Sequence, residues 1–196
     1  EQASVVGPDV LYFADSLGSM DSAQATKVIR VLRSRWSGPI GIHAHDNMGL
    51  ALMNTLHALD EGVTWVDATV AGMGRGAGNT KVEYLLIELA DRHQVPLNIG
   101  PLVSLIERRF RPMQAEFGWG SNTFYYLAGR YGIHPTYVQA MLADSRYAEE
   151  DVLAVIEHLK FAGGKRFSVE ALETGLNFYD STPTGSWAPA ALMEER

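Results

Sequence analysis

Three times between Val10 and Leu89 a short apolar run ends in polar or glycine residues and gives way to a helical pattern. The runs are Val10-Leu11-Tyr12-Phe13-Ala14 before Asp15-Ser16, Ile40-Gly41-Ile42 before His43, and Val63 to Val70 before a glycine-rich loop. The patterns that follow place Val28, Ile29, Leu32 and Trp36 on one helix face, then Leu52, Leu56 and Leu59 ahead of Gly62, then Val82, Leu85, Leu86 and Leu89. Short apolar strands alternating with helices are the signature of βα units and a parallel sheet. In each unit the polar residues fall just after the strand, the edge where α/β folds bind ligands. The chemistry is therefore expected along one rim.

From about Pro96 the pattern becomes helical throughout. Pro101 suits the first position of a helix carrying Leu102, Leu105 and Ile106. Further helices are predicted over about Thr123 to Tyr131, Pro135 to Leu142 and Ala148 to Phe161, and Ser168 is placed to cap another through Leu176. The sequence thus divides into an α/β part, 1–95, a helical domain, 96–178, and a loose Ser-, Thr-, Pro- and Gly-rich tail, 179–196.

Two imidazoles close the second apolar run, in Ile40-Gly41-Ile42-His43-Ala44-His45-Asp46-Asn47. Residues i and i+2 of a strand share a face, so His43 and His45 aim together, as two ligands of one metal must. Neutral imidazole is the commonest protein ligand for divalent transition metals; the competing role is a rim pair satisfied by hydrogen bonds. A third ligand would come from elsewhere. With no cysteine in the chain, thiolate ligands, thiol nucleophiles and disulfides are excluded.

The loop Gly72-Met73-Gly74-Arg75-Gly76-Ala77-Gly78-Asn79 allows close backbone approach to a ligand. Its start fits G-x-G-x-x-A, but no strand ending in an acid follows at about twenty residues, so a dinucleotide site such as one for NAD is disfavoured. Asp15 and Ser16 could position a substrate or a metal ligand, or cap the following helix. Tyr131 and His134 lie among the helices, where aromatic packing is the ordinary role.

The formal charge of -7 argues against a nucleic-acid partner. The basic turn Glu107-Arg108-Arg109-Phe110-Arg111 reads as a solvated helix face. No apolar run approaches the ~18 residues of a membrane span, and no basic-then-apolar leader opens the chain, so no membrane partner and a cytoplasmic location are expected.

The pieces "ADSLGSM", "GIHAHDNMGLALMNTLHALDEGV" and "VDATVAGMGRGAGNTKVE" together resemble the last three strands of the DRE-TIM metallolyases, the HMGL-like barrels. The resemblance implies an α/β fold in which 1–95 is the C-terminal three βα units of a (β/α)8 barrel, followed by the all-helical region. It implies a divalent metal, Mn²⁺ first and Mg²⁺, Co²⁺ or Zn²⁺ otherwise, held by His43, His45 and Asn79. Asp15 matches a strand-end acid of the catalytic rim, and Ser16 the hydroxyl that lines the substrate site. The metal would hold a small 2-oxo acid and stabilise an enolate.

Within that superfamily the 4-hydroxy-2-oxovalerate aldolase branch fits best, because the lyases use a cysteine in the glycine loop. The segment "YYLAGRYGIHPTYVQAML" is similar to the aldolases' C-terminal region, which makes Tyr131 the expected proton donor or acceptor, with substrate-side His134 or Tyr126 as substitutes. A homodimer, and an acylating aldehyde dehydrogenase partner, follow from the resemblance alone. The family's first strand supplies Asp-Arg-Glu, absent here, and three βα units cannot close an eight-stranded barrel. The expectation is therefore a piece of a longer enzyme, with an open sheet edge and a hydrophobic flank, binding metal weakly and turning over poorly alone. The alternatives are an acyl-CoA condensing synthase or lyase of the same superfamily, and a non-catalytic binding or scaffold protein that kept the rim.

Overall fold

The computed structural model of the chain describes residues 5–178; the expected tail, 179–196, lies outside them. Strands β1 (Leu11–Asp15), β2 (Ile40–Ala44) and β3 (Trp65–Val66) form a parallel sheet in the order β1-β2-β3. Helix α1 (Ser22–Arg33) links β1 to β2, α2 (Ala51–Asp60) links β2 to β3, and α3 (Val82–His93) follows the glycine loop. Helix α1 starts where its caps dictate: the Asp21 carboxylate accepts from the Gln24 amide and the Gln24 side chain accepts from the Asp21 amide, a reciprocal pair whose N-cap is worth about 1 kcal/mol.

The register pairs Leu11 with Ile40, Phe13 with Ile42 and Ile42 with Val66, so the two sheet faces separate cleanly. On one face Ile40, Ile42 and Ala44 are buried against Ile29 of α1 and Ala51 and Ala58 of α2, with Phe13, Leu32, Trp36 and Val66 packed around them. The other face carries Tyr12, Gly41, His43, Trp65 and Asp67, and is open: Tyr12 is 40% and Trp65 53% exposed. A Cβ at Gly41 would overlap the Tyr12 ring, so glycine lets that ring lie across the sheet.

Two expectations need correction. The third strand was expected over Val63 to Val70, yet only Trp65 and Val66 pair. Beyond Asp67 the chain leaves β2, turns through a short 3₁₀ segment at Val70–Gly72 and returns to the end of β2 by a bridge between His45 and Asn79, while Thr69 and Lys81 bridge the two limbs of the loop. Leu86 was expected on the packed face of α3 but is 37% exposed, beside exposed Tyr84 and Ile87. The packed face runs instead through Glu83 and Leu85, because nothing among the described residues covers the outer side of α3.

The helical part begins with α4 (Gly100–Leu105), which passes through a π-helical turn (Ile106–Phe110) into α5 (Arg111–Phe117). There the Arg111 amide donates to the Ile106 carbonyl, five residues back. Pro112 has no amide for the carbonyl four residues before it, and its ring would strike that carbonyl; the wider turn accommodates both. Helices α6 (Thr123–Tyr131), α7 (Thr136–Leu142), α8 (Glu149–Ala162) and α9 (Val169–Leu176) follow. Their core includes Tyr125, Ala128, Ile133, Tyr137, Val155 and Leu159, and it takes in Ala77 of the glycine loop. The Trp119 indole donates to the Ala71 carbonyl, the Gly120 amide to Gly76, and the Ser121 hydroxyl to Asn47. The helices are thus seated on the rim.

Candidate metal and substrate site

His43 and His45 lie at the C-terminal end of β2 with ring centroids 4.9 Å apart and planes at 82°. His45 Nδ1 lies 2.8 Å from the Asp15 backbone carbonyl. A carbonyl only accepts, so Nδ1 donates and Nε2 keeps its lone pair. His43 Nδ1 donates to Asp67 Oδ2 at 3.1 Å, which leaves its Nε2 bare as well. Burial pushes the His45 pKa below its ordinary value, the neighbouring His43 and Arg75 push the same way, and the hydrogen bond to Asp15 opposes them. The neutral, ligating form is favoured.

An antiparallel bridge sets His45 beside Asn79, closed by Asp46 donating to Gly78 and Thr80 donating to Ala44. The Asn79 side-chain nitrogen donates to the Met73 carbonyl at 3.2 Å, while its Oδ1 is buried without a hydrogen-bond partner. An orphaned buried acceptor costs about 1–3 kcal/mol, and a cation is one partner that would remove that cost. The loop reaches this position on glycines that tolerate no side chain: a Cβ at Gly74 would overlap Asn79 Nδ2, and at Gly78, whose φ is +79°, the Gly72 carbonyl. Ala71 sits at φ 54°, the left-handed region, held by Glu83 accepting from its amide at 3.0 Å and by Trp119 on its carbonyl.

Two bare imidazole nitrogens and one unpartnered amide oxygen, from His43, His45 and Asn79, fit a divalent cation. Among the described residues no third His, Asp, Glu or Cys completes a cluster, so an ion here would need further oxygens. Sequence reasoning missed Asp67, the carboxylate behind His43. Such partners fix a ligand's tautomer and orientation. The available signal was its position, in "VDATV", at the end of the third apolar run.

The other expected residues are distributed differently. Asp15 is 5% exposed and its carboxylate accepts from the Ser19 and Met20 amides at 3.1 and 3.0 Å, so that side chain closes the turn after β1 while its backbone orients His45. Ser16 is exposed at the same strand end. Asp46 accepts from the Ala51 amide at the start of α2. Tyr131 makes no hydrogen bond or ring contact with the histidines among the described residues; its ring lies under the Lys160 ammonium at 4.7 Å. Tyr126 is 47% exposed. His134 Nδ1 accepts from the Thr136 amide at 3.3 Å, and burial, then Arg75, lower its pKa.

The side chain that faces the glycine loop is Tyr125, 3% exposed, whose ring lies about 3.2 Å from where a Gly76 Cβ would be. Arg75 exerts its charge on His45, Tyr125 and His134 together. Neither residue was singled out by the sequence, because both matter only through contacts between the loop and α6.

A family model described as HMGL-like matches residues 1–106. A 4-hydroxy-2-oxovalerate aldolase of Carboxydothermus hydrogenoformans is 31% identical over 163 residues, covering 81% of this chain and 48% of that protein. One from Brevibacillus brevis is 46% identical over 92 residues, 45% of this chain and 27% of that protein. The chain thus spans about a quarter to a half of the curated relatives it matches. Among solved structures, the N-terminal domain of a protein assigned as an aldolase from Bacteroides vulgatus superposes with a TM-score of 0.64 at 34% identity, covering 70% of this chain and 46% of that one. The carboxyl transferase domain of Rhizobium etli pyruvate carboxylase reaches 0.67 at 17% identity, over 91% of this chain and 33% of that one. That is a likeness of fold, and it extends into the helical region. The architecture is α/β, a three-stranded piece of a parallel barrel followed by helices.

Proposed function

We propose, from the premise that the chain belongs to the HMGL-like family, that it carries the metal rim of an aldolase cleaving and forming 4-hydroxy-2-oxo acids. The relatives named 4-hydroxy-2-oxovalerate aldolase support this reading. The observation that carries it is the buried, unpartnered Asn79 oxygen on a residue bridged to His45, whose ring and that of His43 are each engaged at Nδ1 and leave Nε2 bare. His43, His45 and Asn79 would hold the ion, Mn²⁺ by preference, with remaining positions left to water, substrate and a carboxylate from outside these residues.

In cleavage the C4 hydroxyl loses its proton, the C3–C4 bond breaks, and its electron pair passes into the enolate of pyruvate, which is then protonated at C3; the C4 fragment leaves as an aldehyde. When bound, a divalent cation supplies Lewis acidity to the two substrate oxygens on the pyruvate side. The chain's own part is orientation. Asp67 and the Asp15 carbonyl fix both tautomers, and burial keeps His45 neutral. His134, whose Nδ1 accepts from the Thr136 amide and which therefore carries its proton on Nε2, is the proposed substrate-side donor, and Tyr131 the proposed proton carrier.

The test is Mn²⁺-dependent pyruvate release from 4-hydroxy-2-oxopentanoate by the full-length protein. Pyruvate release is expected to be lost in a protein carrying both His43→Ala and His45→Ala. Turnover that survives this double change, or that ignores chelation, refutes the reading; thiol release from an acyl-CoA in its place would move the protein to the condensing branch.

A further inference from the structure

Beside the histidine rim lies a second concavity, a cleft of about 380 Å³ between the glycine loop and the helical region. Its walls are mainly apolar, from Met73, Met113, Phe117, Trp119 and Leu142. Besides Trp119, whose indole is engaged by Ala71, three residues with donor side chains line it: Arg75, Tyr125 and Gln139. No acidic residue lines it, in a chain with 23 Asp and Glu against 16 Lys and Arg. Among the described residues Arg75 has no ion-pair partner, whereas Arg92, Arg111, Arg146 and Lys160 each pair with a carboxylate.

The cleft adjoins the candidate metal site. Gly74 belongs to its lining and lies directly against the Asn79 side chain. Arg75 is the next residue, and Tyr125 closes over Gly76. A molecule held by its 2-oxo end at His43, His45 and Asn79 could therefore extend past Gly74 with its other end beside Arg75. An unpaired guanidinium in a largely apolar wall recognises a carboxylate on a short hydrocarbon chain. A neutral aldehyde would leave the charge unanswered.

We propose that this cleft is a carboxylate subsite for the aldehyde-side arm of the substrate. The preferred substrates are then 4-hydroxy-2-oxo dicarboxylates, formed from pyruvate and an aldehyde acid, with Arg75 as the specificity-determining residue. The substrate class rests on the aldolase reading; the subsite itself does not.

Two measurements separate them. In aldol addition of pyruvate by the full-length protein, succinic semialdehyde should be used in preference to butanal. Arg75→Gln should lower the semialdehyde-to-butanal ratio of kcat/KM by about 10- to 100-fold, mostly through KM, the loss expected for one charge-assisted hydrogen bond. In the metal-free 196-residue chain, pentanoate should shift the Trp119 indole resonance saturably, 1-pentanol should not, and Arg75→Gln should abolish the pentanoate effect. An unchanged ratio, or no preference for the semialdehyde, overturns the substrate assignment. Failure of pentanoate to saturate overturns the subsite. Saturation by pentanoate without aldol turnover on any aldehyde would sink the aldolase reading and leave the subsite standing.

Discussion

Asp67 shows how much a single side chain behind a ligand can decide. Its carboxylate holds the His43 ring at 3.1 Å and fixes which nitrogen faces the rim. Asp67→Asn can be satisfied with the opposite tautomer, and Mn²⁺ affinity of the chain, read by calorimetry, is expected to fall about 10- to 100-fold with little change in melting temperature. Ala71 gives a prediction of opposite sign. A non-glycine residue at φ 54° carries a left-handed penalty of about 1–2 kcal/mol, partly balanced by the greater freedom glycine has when unfolded. Ala71→Gly should therefore raise stability by up to about 1 kcal/mol in urea unfolding; a comparable loss would show that the Ala71 methyl packs more usefully than its conformation costs.

At the scale of elements, the helical core depends on one buried hydroxyl. Tyr137 of α7 is 1% exposed, and its oxygen donates to the Arg166 carbonyl while accepting from the Ser168 amide, both at 2.9 Å. Tyr137→Phe leaves both backbone groups unanswered in and beside the N-cap of α9 and should cost about 1–3 kcal/mol, with α9 the first element to lose amide protection in hydrogen exchange. This level was also the most legible in the sequence. Helix α6 begins and ends as expected because Asn122 caps it and Gly132, at φ +65°, stops it; α9 starts at its Ser168 cap. The length of β3 and the face of α3 were not legible, since both depend on which neighbours are present to pair and pack. Of the site, the two imidazoles were legible because a two-residue spacing in a strand leaves them one side to face. Asp67, Arg75 and Tyr125 were not, being brought in from 24 residues away or across the loop–helix contact, where local pattern carries no information.

For the molecule as a whole, protonation and exposed surface set the behaviour. His45 has a lowered pKa when folded, so the unfolded chain binds the extra proton more readily. Its contribution is neutral above the ordinary value of about 6.5, and stability falls as pH drops from there toward the folded-state value. His134, also lowered, acts in the same direction from a partly buried position. Urea midpoints at pH 7.5 and 5.5 should differ accordingly, and His45→Gln should flatten the difference. The open sheet face and the outer side of α3 leave Trp65, Tyr84 and Ile87 between 45% and 53% exposed; the isolated chain should bind anilinonaphthalene sulfonate and self-associate in sedimentation velocity, a liability expected of unpaired parallel edges. The grip of Glu83 and Trp119 on the two ends of Ala71 has a thermodynamic corollary. Occupancy at the rim and melting of the far helices are linked functions, so a cation that tightens the glycine loop must also raise the temperature at which α6 to α9 unravel. The indole of Trp119, wedged between the two, would report that tightening as a change in emission.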